Sequence, residues 1–259
     1  MNYEHMSLDI TDNIAHITLK RNSMHLPYVQ ELQDIAFRLD ADDSVRVIVF
    51  SSASKIFCGG GDLAYFIQSG GSLATALKEL TMYLHQALTV FHRMNAPTIA
   101  IVNGAAAGAG LSFAAQCDFV IASDNASFLS SYTGIGLSPD GSASYFLPRL
   151  IGERRAKEMM ITNRKVNAAE ALDWGLVNQV VPAGTELEAG MALARQLATG
   201  ATAAFGSVKR LIQASSTATL ETQLAMEQEL IAANSIGSDC QEGISAFLEK
   251  RAPSFTGKR

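Results

Sequence analysis

Two turns rich in glycine and alanine, each following a short apolar run, constrain this 259-residue chain more than any other feature. Val45 to Phe50 leads into Phe57-Cys58-Gly59-Gly60-Gly61-Asp62, and Thr98 to Val102 leads into Asn103-Gly104-Ala105-Ala106-Ala107-Gly108-Ala109-Gly110. The runs read as strands, and the small residues after them let a ligand approach the backbone closely. Two such turns can aim two N–H donors at one oxygen, the arrangement that stabilises a developing oxyanion. Chemistry at an acyl group is the first expectation.

The rest of the chain supplies a frame for those turns. Ile14 to Leu19 alternates apolar and polar residues like a half-buried strand, and Pro27 opens a helical pattern with Val29, Leu32, Ile35, Ala36 and Leu39 on one face. A short helix over Leu63 to Gln68, a loop at Gly70-Gly71-Ser72 and a long helix over Leu73 to Met94 follow the first turn. The second turn opens a helix over Gly110 to Gln116 and a strand over Asp118 to Ala122. From Ser142 onward the periodicity is helical, over 154–162, 168–174, 187–198, 202–214, 220–235 and 238–250, interrupted by one short strand at Val177 to Val181. Strands alternating with helices predict an α/β core with a helical C-terminal part.

Hydrophobic residues make up 48% of the chain and charged residues 17%, enough for a sizeable core, and the net charge of −5 argues against nucleic acid as a partner. Cys58, Cys117 and Cys240 are odd in number and widely spaced, which disfavours a disulfide framework or a zinc site and suits a reduced, cytoplasmic protein. Cys58 stands in a glycine turn, but no base is implied beside it to make it a nucleophile. Residues 1–10 lack the apolar core of a signal peptide, no run reaches the length of a membrane span, and Gly257-Lys258-Arg259 is not a peroxisomal address. His16 and His25 read as structural or exposed, and Trp174 as a packing residue before a helix-ending Gly175.

Phosphate loops are excluded by their own patterns. Gly108-Ala109-Gly110 offers G-x-G, but Phe113 stands where a third glycine belongs, and no Gly-Lys-Ser/Thr exists. The turns instead resemble the crotonase (enoyl-CoA hydratase/isomerase) superfamily. So do Arg21-Asn22-Ser23-Met24, the Leu63 that follows Asp62, Ala168 through Val177, and the ending Phe255-Thr256-Gly257-Lys258. The resemblance implies a spiral of β-β-α units over 1–200, carrying the acyl-CoA site, and a helical oligomerisation region over 201–259. It implies a homotrimer or a hexamer of stacked trimers, an acyl-coenzyme A thioester as substrate, and no metal or further cofactor. The thioester oxygen would sit between the N–H groups of Gly61 and Ala109, the latter at a helix N-terminus whose dipole favours negative charge. Coenzyme A would lie along Arg21, Ser23, Met24, Gly59, Asp62 and Leu63, with Phe255 and Lys258 reaching it, often from a neighbouring subunit.

Hydratases of this superfamily use two glutamates to activate and deliver water. This chain has Ser112 and Tyr132 at those positions, so ordinary hydration is not expected. A carboxylate appears instead in Ile135 through Arg149, which resembles the Pro-Asp/Glu segment of Δ3,Δ2-enoyl-CoA isomerases and of the epoxide isomerases of phenylacetyl-CoA breakdown. There one acid moves a proton between carbons two and four, and Asp140 is the candidate here. Leu137, Pro139, Phe146 and Leu147 would keep water away from it. As an alternative, Asp140 could cap a helix beginning at Ser142.

4-Chlorobenzoyl-CoA dehalogenases are similar in the same segment. Their Asp attacks the aromatic ring, with a His base on the long helix and a Trp beside the Asp. Aligned with them, Thr89 takes the His position and Tyr132 the Trp position, and His85 and His92 are expected to point elsewhere. A binding subunit without chemistry is a further alternative. Tyr65, Phe66, Tyr83 and Leu84, with Tyr132 and Ser112, are expected to line the acyl pocket, and leave aliphatic and aromatic acyl groups both open.

Overall fold

The structure, a computed structural model, describes residues 3–68 and 72–257. The chain opens with β1 (Met6–Thr11) and β2 (Ile14–Leu19), an antiparallel hairpin. Its two-residue turn is Asp12-Asn13, both at positive φ, the conformation that a tight hairpin with right-twisted strands requires. The alternation in Ile14 to Leu19 gave β2 but not its partner. Helix α1 (Leu26–Asp40) follows, with Pro27 in its first turn and Tyr28, Val29, Leu32, Ile35, Ala36 and Leu39 buried.

Then come β3 (Val47–Ser52), α2 (Leu63–Gln68), α3 (Leu73–Arg93), β4 (Thr98–Val102), β5 (Ala105–Ala107), α4 (Ala109–Gln116), β6 (Phe119–Ser123) and β7 (Ser127–Leu129). The second half holds α5 (Ala143–Ile151), α6 (Glu153–Thr162), β8 (Val166–Asn167), α7 (Ala168–Asp173) and β9 (Gln179–Val181). It ends in α8 (Glu186–Ala198), α9 (Thr202–Ser215), α10 (Leu220–Ser235) and α11 (Ser238–Glu249). The strand expected from Val45 begins at Val47, because Val45 and Arg46 turn back onto the Asp42 and Asn13 carbonyls.

A six-stranded sheet runs β1-β2-β3-β4-β6-β9, parallel after the first hairpin, and a three-stranded sheet runs β5-β7-β8. Single bridges join Met24 to Gly61 and Cys58 to Ala106. Each of β3 and β4 therefore passes into a short extended step on the second sheet and then into a helix. This is the β-β-α spiral that the resemblance implies, followed by a helical C-terminal part.

The central strands are buried on both faces, so their apolar residues serve two cores. Ile48, Phe50, Ala100 and Val102 face the larger core under α1, α3 and α4, while Val47, Val49, Ile99 and Ile101 face a smaller one that includes Ala194 and Ala198 of α8. Both glycine turns leave the C-terminal ends of parallel neighbours β3 and β4, where open parallel sheets place their ligands. Among the described residues, no helix is long and apolar enough to cross a membrane.

Candidate active site

The two turns meet because Gly60 has no side chain. Its φ of +91° suits glycine, and a Cβ there would stand 3.0 Å from the Ala107 carbonyl oxygen and 3.1 Å from the Ala109 nitrogen. Gly110 is pressed as closely: a Cβ would come within 2.3 Å of the Cys58 carbonyl oxygen. In the parallel bridge, the Met24 N–H donates to the Gly60 carbonyl and the Asp62 N–H to the Met24 carbonyl. That pairing uses the groups flanking Gly61 and leaves its own N–H on the opposite edge. The Ala109 N–H begins α4 and has no carbonyl a turn before it. Among the described residues neither N–H has an acceptor.

Both residues line one cavity of about 330 Å³. Phe66 of α2, Leu77 and Leu80 of α3, and Leu137 form apolar walls, and Tyr132 and Asp140 supply polar ones. The arrangement can hold an oxygen at Gly61 and Ala109 and present a carboxylate to carbons nearby. Asp140 is half-buried, and its carboxylate accepts the hydrogen bond of the Tyr132 hydroxyl. Burial, then the Asp140 charge, hold the Tyr132 phenol well above the ordinary tyrosine range, so it stays a donor.

The structure revises several expectations about individual residues. Asp140 does not cap α5 with its side chain: the helix begins at Ala143, and only the Asp140 carbonyl accepts its first N–H, at 3.2 Å. Ser112 is fully buried and outside the cavity lining, donating at 2.8 Å to the Asp140 carbonyl. Of the other residues expected at the acyl pocket, Phe66 and Tyr132 line it and Tyr65, Tyr83 and Leu84 do not. Tyr65 packs its ring on His25 at 5.1 Å, and Leu84 is buried in the core behind Gly141. Leu77, Leu80 and Thr81 take those places, and the helical spacing of three and four could have found them. Phe146 turns from the cavity to stack on His92 and Tyr145, so it does not screen Asp140.

His85 is also placed differently. A spacing of four residues puts it only about 40° from Thr89 around the helix. Both line a second hollow, with His92, on the far side of the Asp140 turn. There the Gly141 N–H donates to His85 Nε2 at 3.2 Å.

The residues expected at coenzyme A form a cluster at the cavity mouth. Asp62 accepts from Arg21 at 3.0 Å, from Ser23 at 3.2 Å and from the Tyr65 N–H at 3.0 Å. The Tyr65 N–H, aided by Arg21 and Ser23, holds its carboxyl below the usual carboxylate range. The Gly59 N–H donates to the Asn22 carbonyl at 2.7 Å, and Leu63 is exposed beside the cavity. Met24 is the exception: its side chain is wholly buried and only its backbone belongs to the cluster. Phe255 is not brought there within one chain. Its carbonyl accepts from Arg46, just before β3, whereas Gly59 and Gly61 follow the other end of that strand. Lys258 and the expected Gly70-Gly71 loop lie outside the described residues. Cys58 is buried, its thiol pushed up to about 11 by that burial, which makes it inert.

Comparison with known proteins decides the family. The sequence profile described as enoyl-CoA hydratase/isomerase matches residues 9–258. The chain belongs to the enoyl-CoA hydratase/isomerase family. It is 37% identical to a "Probable enoyl-CoA hydratase" of Rhodobacter capsulatus, with all of both chains covered. It is 34% identical to a 4-chlorobenzoyl coenzyme A dehalogenase of an Arthrobacter species, over 95% of this chain and 91% of that one. A third relative, the 1,2-epoxyphenylacetyl-CoA isomerase of Escherichia coli, is 32% identical over 96% of this chain and 97% of its own. The crystal structure of an enoyl-CoA hydratase from Bacillus anthracis superposes with a TM-score of 0.92 at 31% identity, covering 98% of this chain and 100% of that one. As a member of this family the chain is an enzyme acting on acyl-CoA thioesters. These relatives are named for three different reactions.

Proposed function

We propose that this hydratase/isomerase-family enzyme is an acyl-CoA isomerase that moves a double bond from the 3,4 to the 2,3 position. One observation carries the reading: among the described residues, Asp140 is the sole acidic side chain lining the cavity that Gly61 and Ala109 also line. Hydration needs groups that both activate water and deliver a proton; a double-bond shift needs only one group that takes a proton and returns it elsewhere. The thioester oxygen sits between the two N–H groups, and Asp140 removes a proton from carbon two. The electron pair moves onto the oxygen as a dienolate, and carbon four takes the proton back as the carbonyl re-forms. Arg21, Ser23, Gly59 and Leu63 hold the coenzyme A portion, with the Met24 backbone and Asp62 keeping that edge in place. No cofactor beyond the coenzyme A of the substrate is needed.

The enzyme works as a trimer or hexamer. Ile231 of α10, Phe247 and Leu248 of α11, and Ile236 between those helices are 72–86% exposed in the single chain, an apolar area suited to burial between copies.

His85 beside the Asp140 turn supports a second reading, in which Asp140 attacks the ring of an aryl-CoA and displaces a halide. Against it, His85 contacts the Gly141 backbone from the far hollow and does not line the cavity. The deciding assay follows the conjugated thioester absorbance with 3-enoyl-CoA, the 3-hydroxyacyl product with 2-enoyl-CoA, and halide release from 4-chlorobenzoyl-CoA. Conversion of the 3-enoyl to the 2-enoyl thioester without hydroxyacyl product is expected, and Asp140→Asn should lower kcat by about 10²–10⁴-fold with coenzyme A affinity kept. Halide release would move the assignment to displacement. Binding without turnover of any of the three would overturn both readings.

A further inference from the structure

The segment carrying Asp140 is held in a conformation that the backbone alone would not choose. Ser131 at its start has φ +65°, and Gly141 and Ser142 at its end have φ +58° and +75°. Gly141 adopts such a φ freely, but serines there persist only where their surroundings over-determine them. Here three contacts do so: the Tyr132 hydroxyl on Asp140 Oδ1, Ser112 Oγ on the Asp140 carbonyl at 2.8 Å, and His85 Nε2 on the Gly141 N–H at 3.2 Å. Ser112 Oγ also lies 3.5 Å from the Tyr132 hydroxyl, so the two side chains form one unit around the acid.

From this geometry we infer that Tyr132 is a positioning residue that confines Asp140 to a single working oxygen and keeps the abstracted proton from exchanging with solvent. The inference rests on the isomerase reading. A carboxylate normally offers two oxygens and rotates between them, and each can meet water. With Oδ1 occupied by the phenol, the proton from carbon two is carried on Oδ2. The C2–H bond breaks as the Oδ2–H bond forms, and the pair on carbon two joins the dienolate. The Oδ2–H bond then breaks as C4–H forms, and the double bond comes to rest between carbons two and three. No external donor or acceptor is consumed. The Tyr132 ring also lines the cavity together with Asp140.

The test is initial-rate turnover of 3-enoyl-CoA in deuterated water, reading deuterium at carbon four of the 2-enoyl product by mass spectrometry and NMR. Tyr132→Phe keeps the ring and removes the donor. It should lower kcat about tenfold, as for loss of a hydrogen bond to a charged group. KM should stay within about twofold, and the deuterium fraction should rise several-fold over wild type. Ser112→Ala loosens the same acid from its backbone side and should raise the deuterium fraction in the same direction by less. This keeps the inference testable if the tyrosine variant does not fold. A fall in kcat with no change in deuterium fraction in either variant would make Tyr132 merely structural and overturn the inference. Absence of wild-type isomerisation would instead overturn the reading beneath it, so the two failures are distinguishable.

Discussion

At the scale of single residues, the proposed chemistry demands that two N–H groups from separate turns point at one spot. Gly60 lets the two turns touch, and Gly60→Ala tests what that contact is worth. The added Cβ has to clear the Ala107 carbonyl oxygen and the Ala109 nitrogen, and the backbone has to hold an alanine at φ +91°. We expect kcat to fall by about 10²-fold, because a displacement on the order of 1 Å at a positioned group costs that much. Stability should fall by about 1–3 kcal/mol from the strained backbone. Parallel kinetics and urea melts check both, and wild-type values in either would refute the account. The residues alone showed two glycine turns able to aim N–H groups at one oxygen; the family resemblance singled out Gly61, Ala109 and Asp140, and the structure gathers all three around one cavity. The wall opposite was less legible. Whether Tyr83 or Leu80 faces a cavity depends on how far α3 is rotated, and packing against α1 and α4 sets that rotation.

At the scale of elements, long periodic helices could be read nearly to the residue, and α10 to its end points. The short strands β5, β7 and β8 could not. Ala105–Ala107 has no intrinsic preference for extended backbone; it is a strand because Ser127–Leu129 pairs with it on one side and the Cys58 bridge on the other. Helix α3 carries a consequence of that layering. It presents His85 to the Gly141 N–H while Leu84, fully buried, lies behind the same turn. His85 itself is exposed, so His85→Ala should leave the melting temperature nearly unchanged yet lower kcat several-fold by freeing the turn that aims Asp140. Leu84→Ala should do the reverse in emphasis, costing about 2–5 kcal/mol of stability through the cavity it opens. A melting temperature that drops as far for His85→Ala as for Leu84→Ala would show that α3 supports the turn only through the core.

At the scale of the whole molecule, the buried ionisable groups make stability a function of pH. Cys58 is raised to about 11 by burial, and burial likewise raises Cys117, Tyr28 and Tyr132, the last also through Asp140. In the unfolded chain these groups ionise near their ordinary values, about 8.5 for a thiol and 10 for a phenol. Below those values both states hold the proton, and the groups leave stability unaffected by pH. Above them the unfolded chain gives up protons that the folded chain keeps, so the folded state binds more protons and stability falls as pH rises. Each such group removes about 1.4 kcal/mol per pH unit until its folded-state value is reached. The lowered carboxyls act with the opposite sign on the acid side: Asp62, held by the Tyr65 N–H, Arg21 and Ser23, contributes stability above the ordinary carboxylate range that is lost as pH falls through it. Burial also lowers His16, His25 and His92, so below about pH 6.5 the unfolded chain binds protons that the folded chain refuses. Urea unfolding from pH 5 to pH 10.5 should therefore show stability rising from pH 5 to a plateau above neutrality, then a steep loss beginning between pH 8 and 9. Replacing Cys58 with Ala should flatten that alkaline slope by close to one group's share, whatever the substitution costs at pH 7. An alkaline slope unchanged by Cys58→Ala would show that this thiol reaches water in the folded protein, contrary to its position sealed between the two glycine turns.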